Sequence, residues 1–230
     1  MKLFYLLPII LSAFLLMSES HAKTYAEHTD KELISLANEG DEIASRVLGY
    51  RYQKQNEMKK AVKWYTKAAK QGEVRAQANL ALMYDIGDGI KQDNAQAFKW
   101  YTKAAKQGEV YSQLNLALMY DNGKGIKQDK AQAFKWYTKA AKQGKSQAQY
   151  NLAILYDNGE GVKQDKAQAF KWYAKAATQG HAQAQFNLGV MTLYGEGTKK
   201  DKEKSIELFK QSAKQGDDSA IAALKTLGAE

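Results

Sequence analysis

The residues equipped for chemistry are few and poorly placed for it. Three of 230 residues are histidine and none is cysteine, which removes disulfides, thiolate metal sites and cysteine nucleophiles. His28 and His181 have no Asp or Glu at a spacing that would complete a triad or a metal site. Ser20 and Lys23 show the S-x-x-K spacing that β-lactam-acylating enzymes use. That pair straddles a cut expected after Ala22, which would separate its members. The loops GDGIK, GKGIK and GEGVK lack the G-x-x-x-x-G-K-[ST] order of a phosphate loop. Asp85, Asp121 and Asp157 recur identically, whereas a catalytic group is usually unique, so a structural role is expected of them. The chain therefore reads as a non-enzyme with no cofactor and no metal.

The elements behind these residues are helices. One proline, Pro8, stands beside abundant Ala, Lys, Gln and Leu, the composition of a chain helical throughout. Lys+Arg number 34 against 25 Asp+Glu, a formal net charge of +9. Residues 1–22 have the layout of a secretory signal peptide: Lys2, the apolar run Leu3 to Met17, then small residues at Ser20 and Ala22. The apolar run is shorter than the ~20 residues of a membrane-spanning helix, although an uncleaved anchor is the alternative. No cysteine comes after it, so no lipid anchor on cysteine is expected. The mature chain is expected to begin at Lys23 and to be exported, periplasmic or secreted.

Beyond residue 40 the chain is one motif repeated. Trp64, Trp100, Trp136 and Trp172 are spaced by 36, and so are Gly108, Gly144, Gly180 and Gly216. Blocks 73–108 and 109–144 are identical at 30 of 36 positions. Five units result, 41–72, 73–108, 109–144, 145–180 and 181–216. Residues 23–40 serve as an N-terminal cap, of which 30–40 resemble a half unit. Residues 217–230 resemble the start of another and form a C-terminal capping helix. A fixed period of this size means a solenoid. Each unit reads as two helices. In 73–108, Ala76, Leu80, Met83 and Tyr84 share one face of the first. Gly87 and Gly89 break it. Asp93 with Gln96 opens the second with capping-box spacing, as do Asp129 with Gln132 and Asp165 with Gln168. Ala97, Trp100, Tyr101, Ala104 and Ala105 then form the second helix's inner face.

The run Ala76, Leu80, Ala81, Met83, Tyr84, Gly87, Gly89, Ile90, Asp93, Ala97, Trp100, Tyr101, Ala104, Ala105 and Gly108 closely resembles the Sel-one-like repeat of the tetratricopeptide-repeat superfamily. The resemblance covers roughly residues 41–216. Family members often have Gly where Ala81, Ala117 and Ala153 stand; Gly49 and Gly189 keep it. Block 181–216 has Thr192 for the aromatic, Ser205 for Ala and Leu208 for Trp, the wear of a capping unit. The resemblance implies a right-handed superhelix, all α, with first helices lining a concave groove and second helices on the convex back. It implies an adaptor that holds other proteins. Exported bacterial members resemble envelope or host-interaction factors or periplasmic immunity proteins that bind toxic effectors, and a few resemble weak β-lactam binders or hydrolases.

Four residue sets bear on binding. The Trp and Tyr series reads as core rather than as a stacking platform, since it shares a face with the alanine pairs. Asn79, Asn115, Asn151 and Asn187 form a ladder beside the core leucines. Such amides either grip an extended peptide's main chain or tie adjacent helices together. The third set is where the blocks differ. Arg75, Tyr111, Gln147 and Gln183 occupy one position, and Ala78, Leu114, Tyr150 and Phe186 another. This set either reflects relaxed packing against the next repeat or, with the ladder, gives a partner-binding surface of Arg75, Tyr111, Leu114, Gln147, Tyr150 and Phe186. The fourth set is lysine: Lys63, Lys67 and Lys70, repeating as Lys99, Lys103 and Lys106, then Lys135, Lys139 and Lys142, then Lys171 and Lys175. This stripe is either a solvated face or an attractor of anionic headgroups or an acidic partner. Nucleic acid does not fit, given the export signal and the lack of a reading motif. The expected protein is a monomeric, exported scaffold that binds a protein or peptide. Weak binding or hydrolysis of cell-wall material or β-lactams is the alternative.

Overall fold

The computed structural model describes residues 25–229, so the signal-peptide reading of 1–22 and the expected start at Lys23 lie outside the described residues. Among the described residues there are twelve helices of nine residues or more and no strand. Helix α1 (Asp30–Asn38) is the preceding half unit. The five units are pairs: α2 (Glu42–Lys54) with α3 (Met58–Gln71), α4 (Val74–Ile86) with α5 (Asn94–Lys106), α6 (Val110–Asn122) with α7 (Lys130–Lys142), α8 (Ser146–Asn158) with α9 (Lys166–Thr178), and α10 (Ala182–Tyr194) with α11 (Lys202–Ala213). Helix α12 (Asp218–Leu227) ends the array. Each helix packs on the one before and the one after it, which makes an α-solenoid. None of the described helices is long and apolar enough to cross a membrane.

Small residues let the helices approach closely. The pairs Ala68–Ala69, Ala104–Ala105, Ala140–Ala141 and Ala176–Ala177 are buried, and Tyr65, Tyr101, Tyr137, Tyr173 and Phe209 fill the space beside them. Trp64, Trp100 and Trp172 are under 10% exposed, so the core reading of the Trp series holds for them. Trp136 is only half-buried. Gly49 and Gly189 are small for a visible reason. A Cβ there would stand 2.7 Å from the ring of Tyr65 or Phe209.

In the three middle units the inner loop is built from its glycines and one glutamine. Gly87, Gly123, Gly159 and Gly195 end the first helix in the left-handed region. The amides of Gln92, Gln128 and Gln164 each donate at 2.7 Å to a last-turn carbonyl, that of Asp85, Asp121 or Asp157, satisfying an acceptor the helix leaves open. The second glycine docks on the preceding repeat. A Cβ at Gly161 would lie 2.3 Å from the carbonyl of Lys130. The Asp caps form as expected, with Asp93, Asp129 and Asp165 accepting from Gln96, Gln132 and Gln168 N–H at 2.9–3.0 Å. The reciprocal half of the capping box does not. The N–H of Asp93, Asp129 and Asp165 donates instead to Tyr84, Tyr120 and Tyr156 carbonyls, so the second helix starts already tied to the first. A full box forms only at Thr29 with Glu32 among the described caps.

A glutamine relay joins the repeats, and the repeat pattern alone did not reveal it. Gln77, Gln113, Gln149 and Gln185 are 4–6% exposed. Each donates to the carbonyl of Ala69, Ala105, Ala141 or Ala177 in the preceding repeat. Each accepts at 2.7–2.9 Å from Gln107, Gln143, Gln179 or Gln215 in its own. Block 41–72 has the buried Ser45 at this position, its hydroxyl without a hydrogen-bond partner. At the other end Ile221 stands there, 47% exposed, with the exposed Lys225 where complete units have Ala or Gly.

Replacing Gln113 by Leu is expected to destabilise the protein by about 1–3 kcal/mol, because the Ala105 carbonyl and the Gln143 amide lose their partner. Urea denaturation followed by circular dichroism measures it. Gly144→Ala meets no atom within 4 Å at φ +89° and should cost only the left-handed strain of about 1–2 kcal/mol. Gly161→Ala adds the clash with Lys130 and should lower the midpoint further.

Candidate functional site

The first helices of the five units turn one row of variable residues outward, and the row begins at their caps. Glu73 caps α4 by accepting from Ala76 N–H, and its carboxylate also lies 3.3 Å from Arg46 Nε. Both side chains are 11% exposed. Burial pushes the Glu73 carboxyl up and the Arg46 guanidinium down from their ordinary values. Glu109 caps α6 through Tyr111 and Ser112 N–H. The next two caps change chemistry. Lys145 opens α8 with no side-chain cap bond, and its Nζ lies 4.1 Å from the centre of the Tyr111 ring, a cation–π contact. His181 opens α10, its Nδ1 accepting from Ala184 N–H at 3.3 Å. That role puts the ring proton on Nε2, which stands 3.3 Å from Gln147 Oε1. The imidazole stacks on Tyr150 at 4.5 Å and 22°. Two sets of contacts, Tyr111 with Lys145 and His181 with both Gln147 and Tyr150, thus follow one another along the row across three repeats.

The other candidates fall to either side of this stretch. Arg75 opens the row on α4, and Gln183 is exposed on α10. Phe186 is half-buried and packs on Phe209 at 5.6 Å. Leu114 is a correction. It is 5% exposed inside the core cluster with Ala133 and Tyr137, so it supports the surface from beneath and has almost nothing to offer a partner. The asparagine ladder is half-buried. Asn79, Asn115, Asn151 and Asn187 face the hydroxyls of Tyr65, Tyr101, Tyr137 and Tyr173 in the preceding repeat, easing an ionisation that burial otherwise opposes. Asn151 also accepts from Gln147 at 3.1 Å.

Lys145 and His181 were missed as surface residues by reading the sequence. The available signal was the cap position itself, which runs Asp41, Glu73, Glu109, Lys145, His181, Asp217. The repeated carboxylates do structural work, as expected. Asp121 and Asp157 hold Lys130 and Lys166 at 2.6 Å, and the same lysines reach Glu160 and Glu196 of the next repeat. Asp85 lacks such a neighbour, since Asn94 stands there, and is held instead by Lys124 of the next repeat at 2.6 Å. Among the described residues no three His, Asp or Glu side chains gather as metal ligands.

Uniform ties inside and variable chemistry on one outer face define a helical-repeat scaffold. The Sel1 repeat family model matches residues 46–73, 74–109, 110–145, 146–181 and 182–217, and the chain belongs to that family. The protective antigen c5321 of uropathogenic Escherichia coli, which displays an SLR fold, is 38% identical with a TM-score of 0.77. That match covers 82% of this chain and 41% of the antigen, so this chain spans less than half of the antigen's length. A Sel1 repeat protein from Oxalobacter formigenes is 31% identical with a TM-score of 0.76, over 89% of this chain and 83% of that one. No curated protein matches the chain.

Burial holds the His181 imidazole below its ordinary value. As pH falls, the unfolded chain takes up that proton first, so stability is full above about pH 6.5 and declines from there toward the lower folded-state value. Protonated Nδ1 also cannot accept from Ala184. A His181→Asn variant keeps a capping oxygen and does not titrate. Its melting temperature relative to wild type is expected to rise between about pH 7 and pH 5.

Proposed function

We propose that this protein is a non-enzymatic scaffold, exported to the periplasm or beyond, that grips a protein or peptide on the first-helix face. The observation that carries the reading is the patch of Tyr111, Lys145, Gln147, Tyr150 and His181. It is the stretch of the row where neighbouring repeats differ most in chemistry, on a frame whose internal ties are uniform. Stacked aromatic rings beside a cation and an amide suit a protein contact, because they combine large contact area with a few directed polar groups. The ring nitrogens of His181 are engaged by Ala184 N–H and Gln147, which fits a positioning role for the imidazole rather than proton transfer. The similarity to a protective antigen supports exposure outside the cytoplasm. The leader-like residues 1–22 support it independently.

The test is affinity capture of the tagged chain from the envelope fraction, run beside a Tyr111→Ala/Tyr150→Ala variant. One protein retained in stoichiometric amount by wild type should be lost by the variant. A loss of about 1–3 kcal/mol in binding, at unchanged helicity, is expected for a pair of aromatic contacts. Equal retention by the variant would place the contact elsewhere on the molecule. Turnover of nitrocefin or peptidoglycan fragments by purified protein, abolished by a single substitution, would overturn the scaffold reading.

A further inference from the structure

The second helices carry a charge pattern that binding on the first-helix face leaves unused. In α3, α5, α7 and α9 lysine is the only charged residue type. The nearby carboxylates are engaged elsewhere. Asp93, Asp129 and Asp165 cap helices, and Asp121, Asp157, Glu160 and Glu196 hold Lys130 and Lys166. Among the described residues, the lysines one before and three after each Trp, and those six after Trp64, Trp100 and Trp136, have no carboxylate partner. These positions lie at i, i+4 and i+7, so each helix shows them as one stripe. The middle lysine of each stripe is laid over an indole, Lys103, Lys139 and Lys175 at 4.0–4.2 Å from Trp100, Trp136 and Trp172. That contact restrains the side chain without neutralising it. The field stops at α11, where Glu203 and Glu207 are interspersed and Lys204 pairs with Glu207 at 2.7 Å.

We infer that this second-helix face is a docking surface for an anionic lipid bilayer. The lysines rest on headgroup phosphates, and the protein does not insert. Two features select a bilayer over other anions. A linear polyanion needs one track of cations, whereas stripes on four successive helices cover an area, which matches a sheet of headgroups. The centre of that area also holds a shallow depression of about 420 Å³ lined by Phe134, Trp136, Lys135, Lys139 and Lys142, and Trp136 is the half-buried member of its series. Tryptophan flanked by lysine is the pairing that settles at headgroup level. Among the described residues, the well-exposed large apolar ones, Ile86, Tyr194 and Ile221, all lie on other helices. The contact is therefore electrostatic and sensitive to salt.

The experiment is co-sedimentation of the full chain with phosphatidylglycerol-containing vesicles and with pure phosphatidylcholine vesicles, at 0.05 and 0.5 M salt. The apolar residues 3–17 are common to every sample, and the neutral vesicles measure their share. At low salt, partitioning onto the anionic vesicles should exceed that onto neutral ones by about tenfold or more, and high salt should remove the excess. A Lys135→Gln/Lys139→Gln/Lys142→Gln variant should lose most of it, while the matching Lys→Arg variant keeps it. Equal partitioning onto both lipids, or an excess indifferent to the Gln variant, would overturn the inference. So would an Arg variant that melts like wild type yet loses the excess. Retention on an acidic protein column without any vesicle preference would overturn the lipid in favour of a soluble acidic partner.

Discussion

The structure depends on a buried amide that belongs to two repeats at once. Gln113 donates to a carbonyl of the repeat before it and accepts from Gln143 of its own, and its counterparts do the same down the array. A helix end leaves carbonyls without partners. Here those orphan groups are met by the next unit, so no repeat is complete without its neighbour. Alanine pairs make the approach close enough for the amide to reach. With no cysteine in the chain, this joint and the packing around it must provide the cohesion that cross-links provide in disulfide-bonded proteins. Cohesion built only between neighbours also means that stability accumulates along the array.

The same economy governs charge. In the middle repeats many acidic side chains are drawn into the joints and the helix caps. Left outside are a row of mixed amide, aromatic and cationic residues on the first helices and a lysine field on the second. The two faces therefore differ in kind. One varies from repeat to repeat, as recognition of a particular shape requires, and the other is monotonous, as contact with a uniform surface requires.

Much of this was legible in the sequence, because each feature appears several times over. The helix boundaries, the Asp93-type caps, the tyrosine and alanine core and the structural role of Asp85, Asp121 and Asp157 all follow from position within the 36-residue unit. Contacts made between one helix and the next were not legible. Gln77 and Gln107 are 30 residues apart, and no local period announces that they meet. The half-made capping box has the same origin, since the competing acceptor, the carbonyl of Tyr84, lies on the other helix of the pair. Leu114 deceives because its position borders both core and surface. Ala78, Tyr150 and Phe186, which share the position, keep part of their surface. His181 lacks an acidic partner in the sequence and offers no sign of chemistry there; its role is to cap a helix and stack on a neighbour.

The ion pairs between loops have an evolutionary consequence. Blocks this alike invite unequal recombination, which removes or adds whole units. Loss of 145–180 would bring Glu196 beside Lys130 and recreate the pairing that Glu160 makes now. Loss of 109–144 would instead take away Lys124 and set Glu160 against Asp85, two like charges at a joint that now holds a salt bridge. The array can thus change length in its later joints at less electrostatic cost than at the joint between 73–108 and 109–144, so the arginine-bearing end is inherited as a fixed head on an extensible body.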